Sequence, residues 1–326
     1  MNTYNIDDNY WKNLTGKIKS VRLSLYMAVE NFGEISKGNQ DPEFPRKVLS
    51  VRFNDKGNII ERFRYDYEQL KPCKDTSRYD EQGNLIENVW YNDDGSLSFL
   101  AIYRYDKNGN LSRSMYYDTQ SGRESNSTFR YDEKGNLIED TAYLDDGSLL
   151  SRLTFQYDKG HKIEENHYFV NNSSKSTFKY DDEGNKIESN YFKADGSLDS
   201  KYIFKFDDKG NEIESNCYKA DGSLAYKDIS NFDDKGNEIE RNRFRADGSL
   251  ASKHIRIFDD NGNIIEIYHQ LNFATISTHK ETYKYKHDDC GNWIVMIKYI
   301  NDKLKHYYER EIEYSHPYNT EPLLTD

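Results

Sequence analysis

Along most of the chain, short runs of alternating apolar and polar residues are closed by a turn and then begin again. Alternation with a period of two is the pattern of a half-buried β-strand. The turns come in two kinds. One is Lys179-Tyr180-Asp181-Asp182-Glu183-Gly184-Asn185-Lys186-Ile187-Glu188, and versions of it centre on Gly57, Gly83, Gly109, Gly135, Gly160, Gly184, Gly210, Gly236, Gly262 and Gly291, mostly 26 residues apart. The other lies half a period later: Asp94-Gly95-Ser96-Leu97, Asp146-Gly147-Ser148-Leu149, Asp195-Gly196-Ser197-Leu198, Asp221-Gly222-Ser223-Leu224 and Asp247-Gly248-Ser249-Leu250. Tight Asp-Gly and Gly-Asn turns make consecutive strands antiparallel neighbours, each roughly seven to nine residues long. The fold class is therefore all-β: a repeat array of about ten two-stranded units forming a continuous antiparallel β-meander ribbon, spiral or shell-like. A closed barrel or a propeller is the alternative.

Columns counted from the turn glycine sharpen the hairpin. Position −4 is aromatic in Phe53, Tyr79, Tyr105, Tyr131, Tyr180, Phe206, Phe232 and Phe258, and position +3 is usually Ile, as in Ile60, Ile86, Ile187 and Ile213. If −4 faces +3, then −5 faces +4, and those columns are complementary: Arg52 with Glu61, Arg78 with Glu87, Arg130 with Glu139, Lys179 with Glu188 and Lys205 with Glu214. Such exposed pairs, at about 0.2–1 kcal/mol each, set register more than stability. Tyr180 with Ile187 and Phe206 with Ile213 are expected to pack on the other face. The exceptions are Arg104 opposite Arg113 and Lys286 opposite Val295. Position +8 is aromatic again, and strict alternation puts it on the opposite face from the isoleucines. Either a bulge in each unit returns it to the core, which is the simpler reading, or the sheet has a second aromatic face.

The chain divides into residues 1–46, an N-terminal capping repeat; 47–300, the hairpin repeats; and 301–326, a final strand and a polar C-terminal tail. Within the first segment Gly16 to Tyr26 alternates as a strand, and Ser36 to Pro45 reads as a loop. The unit at Gly160 is short in its turn and the unit at Gly291 is stretched, so function is expected at those breaks or on the aromatic face.

Tyr131-Asp132-Glu133-Lys134-Gly135-Asn136-Leu137-Ile138-Glu139 and its sisters resemble the tyrosine-aspartate (YD) repeats of the bacterial rearrangement-hotspot (RHS) family over about residues 48–300. Asn stands where those repeats usually carry arginine after the glycine. The resemblance implies an antiparallel ribbon wound into a shell or spiral. The Asp-Gly-Ser-Leu turn is closer to bacterial proteins built from many such units, some described as sugar-binding.

Composition changes the picture in two ways. Mean hydropathy of −1.02 is low for a folded chain, but 28 Tyr and 16 Phe at strand spacing supply core area that hydropathy undercounts. The net charge of −12 excludes a phosphate-binding surface, so no nucleic acid is expected, while a basic protein partner is compatible. Three cysteines, Cys73, Cys217 and Cys290, make neither a disulfide framework nor a CxxC site. Residues 1–8 carry no leader pattern and no run is long enough for a membrane span; a cytoplasmic location is favoured, or an exported one had a leader been removed.

No catalytic residue, metal ligand or cofactor is assigned. The acidic turns lack calcium-loop spacing and read as Asx turns, and His287-Asp288-Asp289-Cys290 has no second ligand pair. The candidate binding residues are the aromatic positions Tyr65, Trp90, Tyr91, Tyr116, Tyr117, Tyr143, Tyr168, Phe192, Tyr218 and Phe244. The expected function is a non-enzymatic binding or scaffold protein that recognises another protein, as an immunity or chaperone-like factor does. The alternatives are carbohydrate binding through exposed tyrosines, or a hydrolase whose carboxylates sit in a pocket at Gly160 or Gly291.

Overall fold

The computed structural model describes residues 14–40, 49–66, 71–169, 172–272 and 275–315. The strands are β1 (Ile18–Asn31), β2 (Glu34–Gln40), β3 (Leu49–Phe53), β4 (Ile59–Asp66), β5 (Lys71–Tyr79), β6 (Leu85–Tyr91), β7 (Leu97–Tyr105) and β8 (Leu111–Asp118). They continue as β9 (Arg123–Tyr131), β10 (Leu137–Leu144), β11 (Leu149–Asp158), β12 (His161–Phe169), β13 (Asn172–Tyr180), β14 (Lys186–Phe192), β15 (Leu198–Phe206) and β16 (Glu212–Lys219). The last are β17 (Leu224–Phe232), β18 (Glu238–Arg245), β19 (Leu250–Phe258), β20 (Ile264–Asn272), β21 (Ile276–His287), β22 (Trp293–Ile300) and β23 (Lys303–Tyr314). Each strand from β3 onward pairs antiparallel with the next, and β1 pairs with both β3 and β23, closing a 22-strand barrel.

The first turn forms because Asp181 caps it. Its Oδ1 accepts from the Asn185 backbone N–H at 2.7 Å and its Oδ2 from the Asn185 side chain at 3.0 Å. Gly184 supplies the left-handed φ of 90°. The same contacts recur at Asp132 with Asn136 and at Asp207 with Asn211.

The −5 and +4 columns are cross-strand partners as expected: Lys179 opposite Glu188, Lys205 opposite Glu214, and also Arg104 opposite Arg113 and Lys286 opposite Val295. The −4 column, however, faces +2 instead of +3. Tyr180 pairs with Lys186 and Phe206 with Glu212, leaving Ile187 and Ile213 as the extra residues of a bulge. A second bulge sits at the other end of most hairpins, where Phe192 meets Leu198 and Asp199 is extra. Bulges add local twist and bend a strand, so a bulge at both ends of each hairpin supplies curl toward closure.

β1 has no repeat signature, yet it makes the barrel. Val21, Leu23 and Val51 are buried where it meets β3, Leu25 is buried opposite Tyr308 of β23, and Leu23 and Leu25 join Met296 and Tyr308 in the main apolar cluster. Its distal half leaves β3 and pairs with β2 as a hairpin, with Tyr26 and Met27 still paired to β23. Ser36 to Gln40, expected as loop, is therefore strand; Asp41 to Pro45 lie outside the described residues. Gly38 permits the pairing, because a Cβ there would sit 2.9 Å from the Met27 carbonyl oxygen.

The barrel is a single wall. Strands make extensive contacts only with their ladder neighbours. The accessible surface is 21149 Å², against about 14,000 Å² for a compact chain of 38.5 kDa. Both faces of the sheet are wet.

Candidate functional site: an apolar rim and two wet faces

One face carries a charged ladder. Glu188 lies 3.0 Å from Lys179 in its own hairpin and 3.0 Å from Lys201 in the next. Glu214 likewise lies 2.9 Å from Lys205 and 2.8 Å from Lys227. Asn190 and Asn216 donate to the same carboxylates. A cation from the next hairpin joins each carboxylate, at Lys74, Arg152, Lys175, Lys201, Lys227 and Lys253, and pairing across a single turn does not reveal it.

The ten aromatic candidates do not form one surface. Tyr91, Tyr117, Phe192, Tyr218 and Phe244 are cross-strand partners of Lys74, Leu100, Lys175, Lys201 and Lys227, which puts them on the ladder face, and Tyr143 and Tyr168 fall there too. Trp90 and Tyr116 lie on the opposite face, both against Phe99. Tyr65 lies in β4 opposite Pro72; its side chain is outside the described residues. The bulge that would return the +8 column to the core is absent: the bulge at Ile187 leaves +4, +6 and +8 on one side, so the second aromatic face is the arrangement present. At Gly160 a two-residue turn with Lys159 at φ 48° joins β11 to β12. The Gly291 hairpin pairs normally, with His287 opposite Trp293. Backbone pairing continues through both turns.

What the aromatic columns do share is an end of the barrel. Strands leave the Asp-Gly-Ser-Leu turns at one rim and the turns centred on Gly-Asn, such as Gly184-Asn185, at the other. Among the described residues, apart from Phe63 and Ile257, the exposed large apolar side chains sit at the first rim: Leu97, Leu149, Leu150 and Ile276 start strands there, and Tyr143, Tyr168, Phe169, Tyr191 and Leu271 end them. The β1–β2 hairpin lies at this rim with Met27 and Val29 exposed, and Phe32 at its tip is fully exposed. Phe32 also holds φ 53°, a left-handed conformation that costs a bulky residue about 1–2 kcal/mol.

The opposite face has a polar seam across β17 to β22. Arg243 forks onto Asp228 at 2.8 and 2.7 Å and lies 4.2 Å over the Tyr226 ring. Glu238 takes Arg241 at 2.6 Å and also Arg256. His254, His269 and His279 follow on consecutive strands, and Glu281 closes the row with Lys298 at 2.7 Å and the Tyr283 hydroxyl. Lys298, Tyr283 and His279 hold Glu281 down to about 2 against its burial. Sequence spacing did not bring these histidines together. Among the described residues no group of three or more His, Cys, Asp or Glu side chains is placed so that it could hold a metal ion.

The profile of a family described as "Uncharacterised protein" matches residues 73–159, about a quarter of the chain. No curated protein sequence matches. Among solved structures, the TcdB2-TccC3-Cdc42 complex matches at 12% identity and a TM-score of 0.32, over 89% of this chain and 18% of that one. TcdB2-TccC3 without its hypervariable C-terminal region matches at 11% identity and a TM-score of 0.33, with 89% and 18% covered. This chain thus spans less than a fifth of those relatives. A porin-like protein from Bacteroides uniformis matches at 14% identity and a TM-score of 0.31, over 91% of this chain and 96% of that one. Scores near 0.3 fall short of a shared fold.

Proposed function

We propose that this chain is a non-enzymatic binding scaffold that holds a protein partner at its apolar rim, with the β1–β2 hairpin as the contact that leads. The observation that carries this is Phe32, a large aromatic side chain held fully exposed at the hairpin tip. The two-residue turn Phe32-Gly33 requires φ > 0 at both residues, which Asn or Gly meets at less cost than Phe, and exposed apolar side chains gathered at one rim are the mark of an interaction surface. The rest of the rim supports the reading, since apolar side chains framed by polar turns are the composition of a protein interface. Asp94, Asp146, Asp195, Asp221 and Asp247 stand in those turns, which favours a partner with basic residues around an apolar centre.

Both faces are suited to water. Glu188 and Glu214 sit mid-strand on one, and Asp228, Arg243, Glu281 and Lys298 on the other. A lipid-facing wall needs an apolar band about 25 Å tall, where a basic residue costs about 2–4 kcal/mol at the midplane.

Phe32→Asn tests the rim. Asn tolerates the left-handed conformation, so the variant is expected to be as stable as the parent or up to about 1 kcal/mol more so. It should lose most of the protein that the parent co-purifies from its native host. Equal recovery by parent and variant would contradict the proposal, as would no recovery by either.

A second reading rests on Tyr143 and Tyr168. Both are exposed on the ladder face beside Arg152, a platform and polar-group arrangement that suits a sugar ring. A glycan array without hits would remove it.

A further inference from the structure

The seam where β1 meets β23 has the register of a repeat hairpin. With Gly16 as the turn glycine, Tyr314 at −4 pairs with Ile18 at +2, Glu313 at −5 pairs with Ser20 at +4, and Lys19 at +3 is the extra residue of a bulge. The Gly184 hairpin has the same three features: Tyr180 with Lys186, Lys179 with Glu188, and the bulge at Ile187. The likeness extends to the turn. Gly16 holds φ 92° where Gly184 holds 90°, and the Ser315 N–H donates to the Lys17 carbonyl at 2.8 Å as the Asp181 N–H does to the Asn185 carbonyl at 3.0 Å. The charges are reversed: Glu313 stands where the repeat has a base, and it takes Lys19 at 2.6 Å and the Ser20 hydroxyl at 2.9 Å. β1 shows no signature in its own sequence because the aromatic half of this unit is Tyr314.

No tight turn joins the two halves. Bringing distant stretches of chain together costs more loop entropy than closing a hairpin, so this seam needs a fastening that the repeat hairpins do not. The Gly291 turn supplies it. In the Gly184 turn the Asn185 side chain donates to its own Asp181 at 3.0 Å. Asn292, at the same place in the Gly291 turn, keeps its backbone bond to Asp288 at 2.9 Å but directs its amide to the seam. Its Oδ1 accepts from the Thr15 N–H at 2.8 Å, and its Nδ2 donates to the Thr15 carbonyl at 2.9 Å and to the Tyr314 hydroxyl at 2.8 Å. The Tyr314 hydroxyl in turn donates to Asp288 Oδ2 at 2.6 Å, taking the place that asparagine has in the other turns. Asn292 is 3% exposed, so Thr15 and Tyr314, one from each half, meet on a single buried side chain. Other turns of this rim touch through exposed lysines, as Lys209 does Asp234 and Lys235 the Asp260 carbonyl.

We propose that residues 14–20 and 313–315 are the two halves of one further repeat unit, divided between distant stretches of the chain, and that Asn292 is the clasp that fastens them and so holds the barrel closed. Because no turn tethers it, this seam is also where the wall opens first.

Amide hydrogen exchange of the full chain, read by mass spectrometry, tests this. Asn292→Ala is expected to speed exchange at residues 18–21 and 310–314 together, by at least about tenfold, and to leave β14 to β19 unchanged. Asn185→Ala should change only its own turn. Gly16→Ala, which strains the left-handed φ and puts a Cβ 3.0 Å from the Tyr314 ring, should repeat the Asn292→Ala pattern from the other side of the seam. A change in Asn292→Ala confined to residues 288–294, or spread evenly over all the strands, overturns the proposal. Should neither variant fold, the unaltered chain decides: urea below the unfolding midpoint should speed exchange at 18–21 and 310–314 before the repeat hairpins, and simultaneous exchange of every strand overturns it.

Discussion

At the scale of the residue, Glu188 shows what the repeat does with charge. The Asn190 amide, then Lys179 and Lys201, hold its carboxyl down to about 2, and Lys227, Asn216 and Lys205 do the same for Glu214. A carboxyl whose folded pKa is depressed contributes stability above its unfolded value, near 4.5, and loses it as pH falls toward 2. Stability should therefore decline between about pH 5 and pH 2. The double variant Glu188→Gln/Glu214→Gln should flatten that decline, read as the urea midpoint against pH; an unchanged profile would contradict the shared-cation ladder. Half of this ladder was legible in the sequence. Lys179 and Glu188 lie on either side of one tight turn, so counting from Gly184 pairs them. Lys201 reaches Glu188 across the second turn, past the bulge at Asp199; like Lys74, Arg152, Lys227 and Lys253 it stands 17 residues after its turn glycine, a column that pairing across the first turn alone does not bring to the glutamate.

At the scale of the element, the hairpins and the closing strand differ in what holds them. Repeat strands bury little and rely on ladder hydrogen bonds, turn caps and half-buried aromatics, with Tyr105 and Tyr131 each donating to a carbonyl of the preceding hairpin. β1 instead buries Leu23 completely against its neighbours. Leu23→Ala should cost about 2–5 kcal/mol, and Leu224→Ala in β17, which is only half-buried, should cost clearly less, both measured by urea unfolding. Equal losses would mean that β1 is not a special strand. The repeat columns made the hairpins readable because their signals are local. Two features escaped for the opposite reason. The loop expected from Ser36 became β2 because pairing with the distal half of β1 outweighs the Gly and Asn content. The row of His254, His269 and His279 exists only once the register across two different turns is known.

At the scale of the whole molecule, a wall of 22 strands at about 4.8 Å each has a perimeter of roughly 105 Å, and a diameter of roughly 34 Å or more with tilt. Sequence could not choose between ribbon and barrel, because closure depends on β1, the strand outside the repeat, meeting both β3 and β23. Closure also removes the free sheet edges that an open ribbon would offer a partner, which leaves the rims and faces for recognition. Small-angle X-ray scattering on the monomer measures closure directly. The closed barrel predicts a radius of gyration of about 20–25 Å and no interatomic distances approaching 100 Å, whereas an open strip of the same strands gives about 30 Å and distances beyond 100 Å. The first result is the one expected; the second would contradict the closed barrel and the rim that depends on it.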